Sequence, residues 1–129
     1  MVVINKSFEI TTNGKFEIID ITSQIIRLVQ SCTLKDGIVN IFIPGVEIGI
    51  TTIECESGKI GNIPEKLNKL SIFGDDMEAN QIKTGIIGTS ITLPFVRSNL
   101  LLEIWQQIIL VDFSNEPKTR RVNVQLVGE

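Results

Sequence analysis

The sequence predicts an α+β domain built on mixed, largely antiparallel β-sheets with two or three short helices. Ile occurs 23 times against 10 Leu, with one Ala and no Tyr, a β-branched excess that favours strands. Hydrophobic patterning gives the order β-β-α-β-β-α-α-β-β-β, in which strands and helices do not alternate regularly. The 129 residues suit one domain spanning 1–129, with no linker, repeat or low-complexity segment to divide it.

Residues 2–11 mix apolar and polar positions and lead into Asn13-Gly14, a favoured hairpin dipeptide. Lys15 to Ile21 then reads as the return strand. Thr22 or Ser23 can cap a helix whose apolar face carries Ile25, Leu28, Val29 and Cys32. Lys35-Asp36-Gly37 ends it, with Gly37 able to take positive φ.

Ile38 to Ile43 is a nearly continuous apolar run, as in a strand covered on both faces. Pro44-Gly45 interrupts it, and Ile48 to Glu56 continues as the next strand. Pro64 suits the first turn of a short helix bearing Leu67 and Leu70. Met77 to Ile87 reads as a helix stopped by Gly88, and Gly85 within it suggests close backbone packing. Ser90–Phe95, Trp105–Phe113 and Thr119–Val127 read as a β-meander. In the second, Trp105, Ile109, Val111 and Phe113 alternate with Ile108 and Leu110. Apolar residues on both faces of one strand predict burial against another subunit.

Composition excludes several functions. There is no His among the 129 residues, so no imidazole base, Ser-His or Cys-His pair, or His metal ligand can come from this chain. No stoichiometric transition metal is expected. The formal net charge is −3, against a broad basic footprint for nucleic acid. The longest apolar runs are too short to span a bilayer. Cys32 and Cys55 lack CxxC spacing and read as reduced thiols of a cytoplasmic protein.

At Ile41-Phe42-Ile43-Pro44, and over Gly74-Asp75-Asp76-Met77, Ile82-Lys83, Gly88-Thr89-Ser90-Ile91-Thr92-Leu93-Pro94, Trp105-Gln106-Gln107-Ile108, Arg120-Arg121-Val122 and Gly128-Glu129, the chain resembles the YjbQ-like family. Some of its members are secondary thiamine-phosphate synthases. The resemblance implies trimers with pockets at subunit interfaces, where histidines form a metal or phosphate site. This chain departs from it coherently. Gly45, Val46 and Glu47 stand where members carry His-Thr-Thr or His-Thr-Ser. Ile53-Glu54 replaces an Asn-Glu pair, and Glu103-Ile104 replaces Gly-Thr. Gln81 takes the place of a second His, with Asn80 an apparent insertion. A longer loop holding a further His is shortened between Leu70 and Gly74.

The resemblance therefore implies pocket candidates Gly45, Glu54, Asp75, Asp76, Gln81, Ser90 and Arg120, with no catalytic residue and no metal ligand assigned. Asp75, Asp76 and Glu78, with Glu54 and Glu56, could offer oxygen ligands to Mg²⁺; carboxylates capping the next helix explain the first three as well. Arg120 shares a strand face with Val122, Val124 and Leu126, so if buried it requires an anionic partner. Two functions compete. One is a trimeric protein that keeps the fold and interface pocket without His-dependent chemistry, binding a small anionic ligand or assembling with a His-containing paralogue. It needs no cofactor. The other is an active transferase of the thiamine-phosphate-synthase kind, using carboxylates and Mg²⁺.

Overall fold

The computed structural model describes residues 1–55, 63–68, 74 and 76–129. In chain order the elements are β1 (Val2–Thr11), β2 (Glu17–Asp20), α1 (Thr22–Ser31), β3 (Gly37–Phe42), β4 (Ile48–Glu54), α2 (Ile63–Asn68), α3 (Met77–Ile87), β5 (Ser90–Val96), β6 (Asn99–Leu100), β7 (Gln106–Asp112) and β8 (Thr119–Gly128). They form a five-stranded sheet, β1-β8-β3-β5-β6, and a three-stranded sheet, β2-β7-β4. Every strand pair is antiparallel, so the fold is α+β.

The pairing departs from two sequence expectations. β1 and β2 form no hairpin across Asn13-Gly14, because β1 pairs along all ten residues with β8 while β2 pairs with β7. Asn13 instead accepts from the Lys15 N–H at 2.9 Å, and Thr12 N–H bonds the Lys118 carbonyl at 2.8 Å. The turn thus carries the chain from one sheet to the other. Nor is the C-terminal third a meander: β8 inserts between β1 and β3, and β7 is the centre of the smaller sheet.

The main core lies between the sheets. Ile108 and Leu110 of β7 share it with Val39 and Ile41 of β3, Val122, Val124 and Leu126 of β8, and Ile21, Ile25 and Val29. The opposite face of β7 buries Ile109, Val111 and Phe113 in a second cluster with Phe16, Ile18, Ile53, Leu67 of α2 and Ile87 of α3. Both faces of β7 are therefore covered by its own chain, without a second subunit. β3 is the reverse case, since Val39 and Ile41 are buried but Ile38 and Phe42 stand exposed on the outer face.

Local capping differs as well. Neither Thr22 nor Ser23 caps α1; Asp20 accepts from the Thr22 N–H at 2.9 Å and from its hydroxyl. The Thr22 hydroxyl oxygen is engaged by the Ile108 N–H at 2.9 Å. The helix stops at Ser31, and Cys32 leaves it extended, so Gly37 is no left-handed cap. It begins β3 opposite Gly128, where a Cβ would strike the Val127 carbonyl. Among the described residues nothing lies within 4 Å of a Cβ on Gly85, so packing does not demand it. α3 is otherwise as expected, with Gly88 accepting the role of stop at φ +96°.

The β5–β6 hairpin turns on Arg97 and Ser98, at φ +52° and +65°, between the paired Val96 and Asn99. Two left-handed residues in a two-residue turn suit Asn-Gly, not Arg-Ser. The Ser98 hydroxyl is also buried, with no partner among the described residues. Ser98→Gly should therefore stabilise the protein by about 1 kcal/mol, by removing left-handed strain and an unpaired hydroxyl. Urea unfolding at fixed protein concentration checks it, and a lowered midpoint would contradict it.

Candidate functional site

The site grows from the crossing between the sheets. β3 belongs to the larger sheet and β4 to the smaller, so residues 43–47 must pass from one layer to the other. Ile43 N–H is held by the Thr89 carbonyl at 3.0 Å, and the Glu47 carbonyl accepts from Phe113 N–H at 2.7 Å. Between these pins Gly45 adopts φ +138° and Glu47 φ +62°. Gly45 and Val46 face solvent, but Glu47 is turned inward and buried. Its carboxylate accepts from Asn80 Nδ2 of α3 at 2.9 Å, and the same Nδ2 donates to the Phe113 carbonyl at 2.9 Å.

Beside this link lies an ion pair. Arg120 of β8 is 6% exposed and Asp112 of β7 1%. Arg120 Nε donates to Asp112 Oδ2 at 3.0 Å and Nη2 to Oδ1 at 3.3 Å, a bidentate pair of the kind that orients a guanidinium firmly. Asp112 Oδ1 also accepts from Ser114 N–H at 2.8 Å. Nη1 lies 2.9 Å from the point where a Cβ on Gly45 would stand. Arg120 thus forms a floor beneath the one residue of the crossing that has no side chain.

Of the seven residues expected at a pocket, the structure brings Gly45 and Arg120 together. Ser90 is nearby but exposed, opposite Phe42 in the β3–β5 ladder. Gln81 points outward from α3, and its neighbour Asn80 is the residue that reaches the site. Asp76 caps α3, accepting the Ala79 N–H at 2.8 Å. Glu54 lies exposed at the far end of β4, paired with Gln106, whereas Ile48 at the near end pairs with Asp112. That strand length separates Glu54 from the crossing by about 20 Å. Asp75 lies outside the described residues, as do Glu56, Leu70 and the shortened loop. Among the described residues no three of His, Cys, Asp and Glu converge as metal ligands.

Sequence reasoning missed Glu47, Asn80 and Asp112. A signal existed for the acids: Glu47 sits between Val46 and Ile48, and Asp112 between Val111 and Phe113. A carboxylate inside an apolar run implies a buried partner. Elsewhere, Cys55 is buried and free. Burial and then the Asp20 carboxylate push its thiol above the ordinary value, away from thiolate chemistry. No helix among the described residues is long and apolar enough to cross a membrane.

Two antiparallel sheets bridged by a pinned crossing, with a buried Arg–Asp pair below it, define an α+β domain with a polar site at one end of its core. The chain belongs to the UPF0047 protein YjbQ-like family, whose model matches residues 6–129. It is 34% identical over 122 residues to a UPF0047 protein of Archaeoglobus fulgidus, covering 88% of this chain and 94% of that one. A UPF0047 protein of Methanocaldococcus jannaschii is 31% identical, over 100% of this chain and 99% of its own. Among solved structures, a YbjQ-like protein of unknown function from Sulfolobus solfataricus superposes with TM-score 0.86 at 25% identity, covering 99% of each chain. A hypothetical protein of Aeropyrum pernix shares the fold with TM-score 0.83 at 23% identity, over 98% of this chain and 99% of that one.

Proposed function

We propose that this family member is a non-catalytic binding and assembly protein of the cytoplasm, a homotrimer that retains an interface pocket without acid–base or metal chemistry. The observation that carries this reading is the composition of the crossing. Gly45 offers no side chain, Gln81 faces outward, and Arg120 is engaged along one edge by Asp112. Proton transfer needs a titratable group aimed at the ligand, and the carboxylate of the crossing, Glu47, is instead turned inward and held by Asn80. The Arg120 guanidinium suits a small anionic ligand. The test is turnover: no thiamine phosphate should form above background with Mg²⁺ present.

Assembly is supported by what the fold leaves uncovered. Met77, Ile82 and Ile86 on α3 are 61%, 42% and 68% exposed, and Val46 of the crossing 51%. Scattered apolar side chains are normal on a monomer, but Ile82 and Ile86 lie one turn apart on the same side of α3 and together form an exposed apolar strip suited to an interaction surface. A subunit seated on α3 and Val46 encloses the site. Light scattering should give three times the chain mass at micromolar concentration, and Ile82→Glu with Ile86→Glu should give monomers. A monomeric wild-type protein would sink the assembly proposal. A His-containing paralogue as additional partner would be found by co-purification.

A further inference from the structure

We infer that the end-on edge of Arg120 beneath Gly45 is a binding site for a singly charged carboxylate. The inference rests on reading the crossing as a binding site without chemistry, and it names the ligand class.

A guanidinium carries five N–H groups. Asp112 engages the side-on edge, through Nε and Nη2. The end-on edge remains: a second Nη2 hydrogen and the adjacent Nη1 hydrogen, parallel to one another. Among the described residues no acceptor meets Nη1. Arg120 is nonetheless nine-tenths buried and cannot swing into solvent while both its bonds to Asp112 hold. Nη1 faces the crossing at Gly45, which is exposed and where a Cβ would stand 2.9 Å from Nη1. Two parallel N–H donors match the two oxygens of a carboxylate.

Charge decides between anions. Asp112 cancels Arg120, and Glu47 adds a second carboxylate at the same crossing. Among the described residues Lys83 is the other nearby cation, held 5.5 Å above the Phe113 ring. The surroundings therefore sum to about zero and supply no excess positive field. A monoanion can be held by the direct N–H pair. A phosphate dianion or pyrophosphate brings extra charge close to Asp112 and Glu47, and like charges in such proximity are disfavoured.

The experiment is a titration of the full ¹⁵N-labelled chain with sodium acetate and, separately, inorganic phosphate at matched ionic strength. The readout is the Arg120 Nε–H resonance, assigned by its loss in Arg120→Lys. Acetate should shift it saturably, and phosphate should bind at least about tenfold more weakly. Gly45→Ala, which places a methyl against Nη1, should weaken acetate by about tenfold or more. Non-saturable acetate shifts, phosphate binding as tight as acetate, or a folded Gly45→Ala protein that binds acetate normally would each overturn the inference. The wild-type titration decides alone if the alanine variant does not fold. Turnover and light scattering are unaffected by its outcome, so failure here is distinguishable from failure of the binding-and-assembly reading.

Discussion

Arg120→Met should destabilise the protein by about 3–5 kcal/mol, the largest stability loss expected from any single change at the site. Asp112 is buried and, apart from the Ser114 N–H, depends on Arg120 for neutralisation. Removing the guanidinium strands its charge in the core, where no other cation among the described residues lies within 4 Å to replace the partner. Asp112→Leu alone should cost a similar amount, because the guanidinium is then the stranded charge. The double change should recover most of the loss, since well-packed apolar replacement of a buried pair is often neutral or better. Urea unfolding of the four proteins at one concentration closes the cycle, the fixed concentration being required for an assembling chain. If the losses of the singles simply add in the double, the pair is not coupled and the argument fails.

The same pair shows what was legible in the sequence. Arg120 was identifiable because it interrupts the alternation of Val122, Val124 and Leu126, and a buried cation demands an anion. Which anion was not identifiable, because the β7–β8 juxtaposition arises from two sheets packing together, not from neighbouring positions. Strand existence was written locally in β-branched runs; strand partnership was not. Asn13-Gly14 carries a hairpin's local chemistry, yet ten ladder pairs with β8 outweigh one favourable turn. The apolar alternation in β7 is real, but its second face is covered by α2, α3 and β2 of the same chain. Asn80 and Gln81 differ by one helical step, a rotation of about 100° that directs one inward and the other to solvent. A motif comparison with an apparent insertion cannot fix that phase. Burial of Glu47 depends on the positive φ of the crossing, which no period in the sequence encodes.

Thiamine phosphate formation should be slower than in a His-bearing family member by at least about two to three orders of magnitude, the usual loss for one missing charge-stabilising donor. The condensation releases pyrophosphate, whose developing charge must be met by preorganised donors or a metal. At the crossing Gly45 contributes no side chain, Arg120 is balanced by Asp112, and Glu47 opposes any approaching polyanion. Gln81, exposed on α3, could donate only a neutral hydrogen bond. Mg²⁺ held by Glu54 and Asp76 is the available substitute, but Asp76 is engaged in capping α3 and Glu54 lies at the other end of β4. The assay supplies the pyrimidine pyrophosphate and thiazole phosphate with Mg²⁺, using protein from a host lacking its own synthase. Product at background, unchanged by Glu54→Gln or Asp76→Asn, is the expected result. Robust turnover abolished by either substitution would establish a carboxylate-dependent transferase, and with it a movement of β4 or α3 that brings those two carboxylates to one metal.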